Sequence, residues 1–181
     1  YGPPGAGWVP LVGNWECGTN CGGGGNTPSG GLWSGGGYQN TIKFFVSPDG
    51  TKLTSSGSPI TYNGETWEIK VDATSTGCGA ITLHARRSGG TPISENKFFY
   101  DLSLGTYGRM KIDGQFPSST SSKGTVSWTC SSAIWIASWS AIPQSSASAA
   151  PLDTPSTNNP PIVEKLYDPE TGAYIGEMVI Y

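Results

Sequence analysis

The chain has 181 residues and a net charge of −3, and charged residues make up 13% of it, about half the usual share in soluble proteins. Seven Trp and eight Tyr supply large apolar surfaces that a disordered chain lacks. The charge balance, without a stripe of Lys and Arg, excludes nucleic-acid binding. No apolar run approaches the ~20 residues that a transmembrane helix needs. We therefore expect one globular domain with an appendage.

Residues 1–40 are rich in glycine and tryptophan. Glycine tracts at 22–25, 30–31 and 35–37 are typical of loops. Trp8, Trp15 and Trp33 stand between or beside these tracts, and we expect them to pin the segment onto the body of the protein.

Residues 41–141 show short apolar and polar alternation, separated by clusters of Gly, Ser, Asn and Pro. This pattern, with no long stretch of helical period, predicts an all-β fold, an antiparallel β-sandwich resembling a jelly roll. The predicted strands are Thr41–Ser47, Thr66–Asp72, Ala80–Arg86, Lys97–Leu104, Arg109–Phe116, Gly124–Cys130 and Ala133–Ala141.

The alternation also predicts which side chains share a face. Glu68 and Lys70 fall on the polar face of their strand and are expected to form an ordinary solvent-exposed pair. His84 likewise falls on a polar face, as a solvated side chain. Ile134 and Ile136 lie opposite Trp135 and Trp139, so this last strand is apolar on both faces and is expected to be central or covered.

Residues 142–161 form a Pro/Ser/Ala-rich extended linker, and residues 162–181 form a β-hairpin around the turn 168–172. A two-stranded hairpin is marginal alone in water, so this one must dock. The linker is long enough for docking on a neighbouring subunit, which we expect in preference to docking on its own domain. The predicted interface residues are Ile162, Val163, Leu166, Tyr167, Tyr174, Ile175, Met178, Val179, Ile180 and Tyr181.

Four cysteines, Cys17, Cys21, Cys78 and Cys130, allow three disulfide pairings. The closeness of Cys17 and Cys21 favours a local ring, which leaves Cys78 and Cys130 as the long-range pair. Zinc is the alternative, but a structural zinc site needs four converging ligands, and the chain has one close cysteine pair and a single histidine. Disulfides place the protein outside the cytoplasm, secreted or at the cell surface, with no metal.

No catalytic constellation is evident. Glu65 and Glu68 are three apart on a strand and point to opposite faces, so they cannot serve as a glycosidase pair. Glu95, Asp101 and Asp113 lie on separate segments, and convergence of such carboxylates in a groove is the feature that defines the alternative of a glycoside-active enzyme. The sequence has no serine nucleophile elbow and no free thiol that could form a catalytic pair with His84. We expect no enzyme activity and no cofactor.

The tryptophans offer a different function. Trp33, Trp67, Trp135 and Trp139 are candidates for a planar aromatic platform that stacks on sugar rings. Core packing beside Cys130 is the alternative, and coplanar rings exposed to solvent would distinguish the two.

Several motifs carry a resemblance. They are Thr41–Val46, then Cys78, the run Asp113–Thr120, Gly124–Val126 and the closing Trp139–Ala141. Over residues 33–141 the chain resembles β-sandwich modules of secreted bacterial surface proteins. The resemblance implies the fold and carries no catalytic residues. The C-terminal tail is similar in idea, though not in motif, to the donated strands of extracellular pilus subunits.

These features together predict a structural subunit of an extracellular filament or surface assembly. The subunits would form a homopolymer by strand donation from the C-terminal hairpin. A carbohydrate-binding or adhesive module, with a glycan as partner, is the alternative.

Overall fold

The computed structural model describes residues 27–131, 133–145, 162–168 and 171–180. Within these residues the chain is nearly all antiparallel β, as predicted, with one 3₁₀ turn at Gly105–Tyr107. The strands are β1 Gly31–Gly37, β2 Asn40–Val46, β3 Lys52–Leu53, β4 Thr61–Tyr62, β5 Glu65–Thr66, β6 Ile69–Ser75, β7 Gly79–Ala85, β8 Thr91–Pro92, β9 Lys97–Ser103, β10 Arg109–Ser118, β11 Ser121–Thr129, β12 Ile134–Pro143, β13 Ile162–Tyr167 and β14 Tyr174–Ile180.

One sheet of 12 strands contains all of these except β4 and β5, which form a separate hairpin. The strand order is β13-β14-β7-β6-β2-β1-β12-β11-β10-β9, with β3 and β8 attached beside β2. The sheet curls nearly into a barrel, and β13 lies beside β9 at the remaining seam. The all-β, sandwich-like fold predicted from the alternation is confirmed, as one continuous curled sheet around a single core.

The core is built from alternate residues of the strands, as their period of two requires. Its centre is a group of aromatic rings whose centroids lie 5.2–6.1 Å apart. These rings are Trp33, Phe44, Phe98, Phe116 and Trp139. They join strands from both sides of the curled sheet and so hold its walls together.

Strand β1 lies between β2 and β12, so the sheet begins before residue 41 and includes one of the predicted glycine loops. The glycines permit a close approach of neighbouring backbone. A Cβ on Gly35 would lie 1.9 Å from the carbonyl oxygen of Ser140, and one on Gly37 would lie 1.9 Å from that of Ser138. The tract is glycine-rich because β12 leaves no room for side chains there.

Several strand boundaries differ from the prediction, such as the start of β11 at Ser121, and two of them affect the site and the linker. Thr66 belongs to the β4–β5 hairpin, which turns at Asn63-Gly64 with both residues at positive φ, and β6 begins only at Ile69. Strand β12 continues to Pro143, because the backbone N–H of Gln144 still donates to Leu32. The linker therefore begins after β12, and its residues 146–161 lie outside the described part of the chain.

The disulfide between Cys78 and Cys130 is present, with an S–S distance of 2.07 Å across a sequence separation of 52, which confirms that part of the cysteine prediction. It ties the start of β7 to the end of β11, two strands far apart in the sheet order. Cys17 and Cys21 lie outside the described residues, as do Trp8 and Trp15.

Candidate functional site

The C-terminal hairpin docks on the sheet of its own chain in this single-chain structure. Strand β14 pairs antiparallel with β7 from Gly176 opposite Ala85 to Ile180 opposite Ile81. The ladder continues where the N–H of Arg86 donates to the carbonyl of Ile175 at 2.7 Å. The hairpin is thus an added edge to a sheet that would otherwise end at β7. Docking on a neighbouring subunit stays a prediction.

The predicted interface residues divide into two groups. Leu166, Ile175, Met178 and Val179 are buried, and the first three belong to the main core. Ile162, Val163 and Tyr167 are largely exposed, Tyr174 and Ile180 are half-buried, and Tyr181 lies outside the described residues. The contact with β7 is therefore made mainly by β14, while β13 presents its outer face to solvent.

The β4–β5 hairpin covers the outer face of this junction. The ring of Tyr62 stacks on His84 of β7, with centroids 4.6 Å apart and planes at 8°. The side-chain amide of Asn63 donates to Glu177 of β14 at 3.1 Å. The small hairpin therefore contacts both strands of the junction. The Asn63-Gly64 turn that forms it is a strong hairpin signal in the sequence.

Trp67 and Arg86 extend this cover. The guanidinium of Arg86 lies 4.8 Å from the centre of the Trp67 ring and 5.6 Å from that of Tyr174. It also pairs with Glu65 of β5 at 2.8 Å. A residue next to β7 is thus bound to the covering hairpin and to β14 together.

His84 was predicted to be solvated, and this is wrong. Its side chain points away from the core, as the alternation requires, but the β4–β5 hairpin lies over it and leaves it 1% exposed. Neither ring nitrogen has a hydrogen-bond partner among the described residues. The pKa of His84 is lowered to about 4, mainly by burial and also by the charge of Lys70, while Asp72 acts in the opposite direction.

Glu68 was predicted to pair with Lys70 in solvent, and this is also wrong, because the chain bends at Glu68 before β6 begins and turns the carboxylate inward. Tyr100 donates to it at 2.5 Å, Thr91 at 2.8 Å and the backbone N–H of Arg87 at 3.1 Å. Burial raises the pKa of Glu68, and these hydrogen bonds act against that shift. The network joins the bend before β6 to β8, to β9 and to the segment after β7.

The tryptophans do not form an exposed platform. Trp33 and Trp67 are 0% exposed and Trp139 is 3% exposed, while Trp135 is half-buried against the core. Core packing, the alternative interpretation, describes these residues, since a ring that stacks on a sugar needs a free face.

Strand β12 is central in its sheet, which is one of the two expected arrangements, and its outer face is open. Ile134 and Ile136 are 70% and 66% exposed, because the wall of the curled sheet is a single layer there and no described element packs over it. Strand β12 is central in its sheet, but only its inner face is covered.

The remaining carboxylates fall into different settings. Asp101 forms an ion pair with Arg109 on the neighbouring strand. Glu95 and Asp113 line one open cleft beside β9, which is the arrangement that defines the alternative of a glycoside-active enzyme, and that alternative stays a prediction. In the described residues, no cluster of His, Cys, Asp and Glu is arranged to hold a metal ion.

The chain matches no protein family model, no curated protein and no solved structure. The resemblance to secreted bacterial surface modules therefore stays a prediction. In the described part of the chain, no helix is long and apolar enough to cross a membrane.

Proposed function

We propose that this protein is a structural subunit of an extracellular filament or surface assembly, in which the C-terminal hairpin of one copy completes the sheet of the next. The observation that carries the proposal is the β14–β7 junction, in which a C-terminal hairpin pairs with the edge of the sheet. The hairpin adds a complete edge to the sheet, yet it is joined to the body only through residues 144–161.

The junction is strong enough to act as a joint between copies. Burial of Leu166, Ile175, Met178 and Val179 contributes roughly 6–12 kcal/mol, at about 1.5–3 kcal/mol for each apolar side chain, before conformational entropy is counted. The backbone hydrogen bonds of the β14–β7 ladder add register and specificity. A body without a hairpin would expose the edge of β7 and part of the core beside it.

The tether can reach a second copy. Residues 144–161, if extended, span up to roughly 55 Å at ~3.1 Å per residue. A contact between a donor site and a different acceptor site is heterologous, and repetition of it gives an open filament. The Cys78–Cys130 disulfide supports a location in an oxidising compartment, outside the cytoplasm. The proposal assigns no catalytic activity to the chain.

Exchange of the hairpin between copies can be tested by cross-linking. Thr82 of β7 and Val179 of β14 face each other in the ladder. One preparation carries Thr82→Cys and the other Val179→Cys; they are refolded together and oxidised. A disulfide between two different chains then forms only where a hairpin occupies the neighbour's sheet.

The matched control uses Ser127→Cys and Ile136→Cys, which face each other between β11 and β12 inside the sheet and have no tether that permits exchange. We expect covalent heterodimers for the β7–β14 pair and none above background for the control pair. Equal yields of covalent heterodimer for the two pairs would contradict the proposal. In parallel, the full chain refolded at high concentration should form filaments under negative stain, and a chain ending at Pro143, refolded in the same way, should not.

A further inference from the structure

Beside β9, the structure contains an open cleft of about 570 Å³, a volume typical of small-molecule sites. It is bounded by β9, the end of β10 and the loops on either side of β8. The side chains that give it its chemistry are Arg87, Glu95, Lys97, Phe99, Asp113 and Gln115.

The cleft offers one apolar surface and several uncommitted polar groups. Phe99 is 48% exposed although it lies in the middle of a strand. Asp113 faces Phe99 and Gln115 faces Lys97 across the β9–β10 ladder, so all four side chains share the outer face. In the described residues, the side chains of Glu95, Lys97 and Gln115 have no hydrogen-bond or ion-pair partner, so each is available to a ligand.

Two of these groups are held in place. The Thr125 hydroxyl on β11 donates to the carboxylate of Asp113. The guanidinium of Arg87 lies 5.2 Å from the centre of the Tyr100 ring, and its backbone N–H is bound to Glu68. The buried Glu68 network thus fixes one side of the cleft.

Glu95 occupies a backbone position that does not suit it. Ser94 and Lys97 exchange two backbone hydrogen bonds of 2.9 Å, and between them Glu95 and Asn96 have φ of 50° and 61°. Tight turns of this kind favour Asn and Gly at both central positions. A glutamate here is strained, and such strain is concentrated at functional sites, which indicates that the carboxylate rather than the backbone preference is needed.

The balance of charge identifies the ligand class. Arg87 and Lys97 are matched by Glu95 and Asp113, so the cleft has no net charge to attract phosphate or a polyanion. The exposed apolar side chains, Phe99 and Pro92, are too few to hold a lipid chain. Carboxylate, amide and guanidinium groups around one aromatic face suit a ligand with many hydroxyls and an apolar ring face.

We propose that this cleft beside β9 binds a neutral saccharide, with Phe99 against the apolar face of a sugar ring and Glu95, Asp113, Gln115 and Arg87 bonded to its hydroxyls. This site is distinct from the tryptophan platform predicted from the sequence. It does not depend on strand donation, because the cleft lies on one chain and excludes the hairpin.

The test is saturation-transfer NMR and calorimetry on the full chain, with cello-, xylo-, chito- and malto-oligosaccharides as probes. At least one of them should bind. Phe99→Ala and Gln115→Ala should each weaken binding about tenfold, as loss of a principal contact does. Tyr38→Ala is the matched control: Tyr38 is an 80% exposed aromatic residue at the β1–β2 turn, and its loss should change nothing.

Glu95→Asn separates binding from folding. Asparagine suits the left-handed backbone, so this variant should unfold at a higher temperature than the parent while it binds the saccharide more weakly. The proposal is overturned if none of the neutral saccharides binds, or if Phe99→Ala and Gln115→Ala bind like the Tyr38→Ala control. Binding only to sulfated saccharides, lost in salt, would also overturn it, since the cleft would then be acting by charge.

Discussion

Protonation of His84 should weaken the fold as the pH falls. The ring is buried between β7 and the β4–β5 hairpin without a hydrogen-bond partner in the described residues, so the folded state holds it neutral. Its pKa is lowered to about 4, against 6.5 for a free histidine. The unfolded chain therefore takes up a proton first, and stability is lost below about pH 6.5 and levels off below pH 4.

The size of the effect follows from that difference. At 1.36 kcal/mol for each pKa unit, His84 should remove about 3 kcal/mol of unfolding free energy between pH 7.5 and pH 4. The facing charges are Lys70 and Asp72 on β6 and Glu177 on β14, with the pair of Arg86 and Glu65 nearby. The measurement must therefore isolate the contribution of His84 from that of its charged neighbours.

His84→Phe isolates it, because phenylalanine keeps the stacking on Tyr62 and does not titrate. Urea unfolding, followed by tryptophan fluorescence from pH 7.5 to 4, should show the variant gaining about 3 kcal/mol over the parent across this range. The chain has one histidine, so its NMR signal needs no assignment and should titrate near pH 4. A midpoint near 6.5, or a stability difference that does not change with pH, would refute the argument.

Three further predictions use the same unfolding measurement. Met178→Ala should cost about 2–5 kcal/mol, because it empties a fully buried site in the hairpin junction, whereas Val163→Ala on the exposed face of β13 should stay within about 0.5 kcal/mol; similar losses would contradict the proposed division of the hairpin. Replacement of both Cys78 and Cys130 by Ala should cost about 2–5 kcal/mol, with less than 1 kcal/mol as the contrary result. Glu68→Gln should become more stable relative to the parent as the pH rises through the folded-state pKa of Glu68. That pKa is raised, and only the parent acquires a buried charge in this range. A stability difference that does not change with pH would contradict this prediction.

Alternation was sufficient to predict most of the strands. Strands β2, β7, β9, β10, β11 and β12 and the C-terminal hairpin lie close to their predicted bounds, because each puts every second side chain into one core. The Cys78–Cys130 pair was also predictable, since the close spacing of the other two cysteines left it as the remaining pair. Strand positions thus follow from the local alternation of side chains, and the disulfide pair follows from the spacing of the cysteines.

What surrounds each outer face was not predictable in the same way. His84 and Ile136 both point outward, but the β4–β5 hairpin covers the first and nothing described covers the second. Glu68 was predicted on the solvent-exposed face but points into the interior, because the chain bends there before β6 begins. The glycines of β1 looked like a loop, since the closeness of β12 is a property of the folded sheet and not of the local sequence. Long-range packing decides each of these cases.

The docking of the hairpin on its own chain bears on assembly. A hairpin on its own β7 and a hairpin on a neighbour's β7 make the same ladder, so the contact energies cancel and the tether decides between them. A covalent connection of this length sets the local concentration of the hairpin in roughly the millimolar range. A dilute, already folded monomer should therefore remain closed on itself. Strand donation should therefore require either chains that fold together at high concentration or an event that opens the junction. Protonation of His84 in acid is such an event, because His84 is buried between β7 and the β4–β5 hairpin that covers the junction.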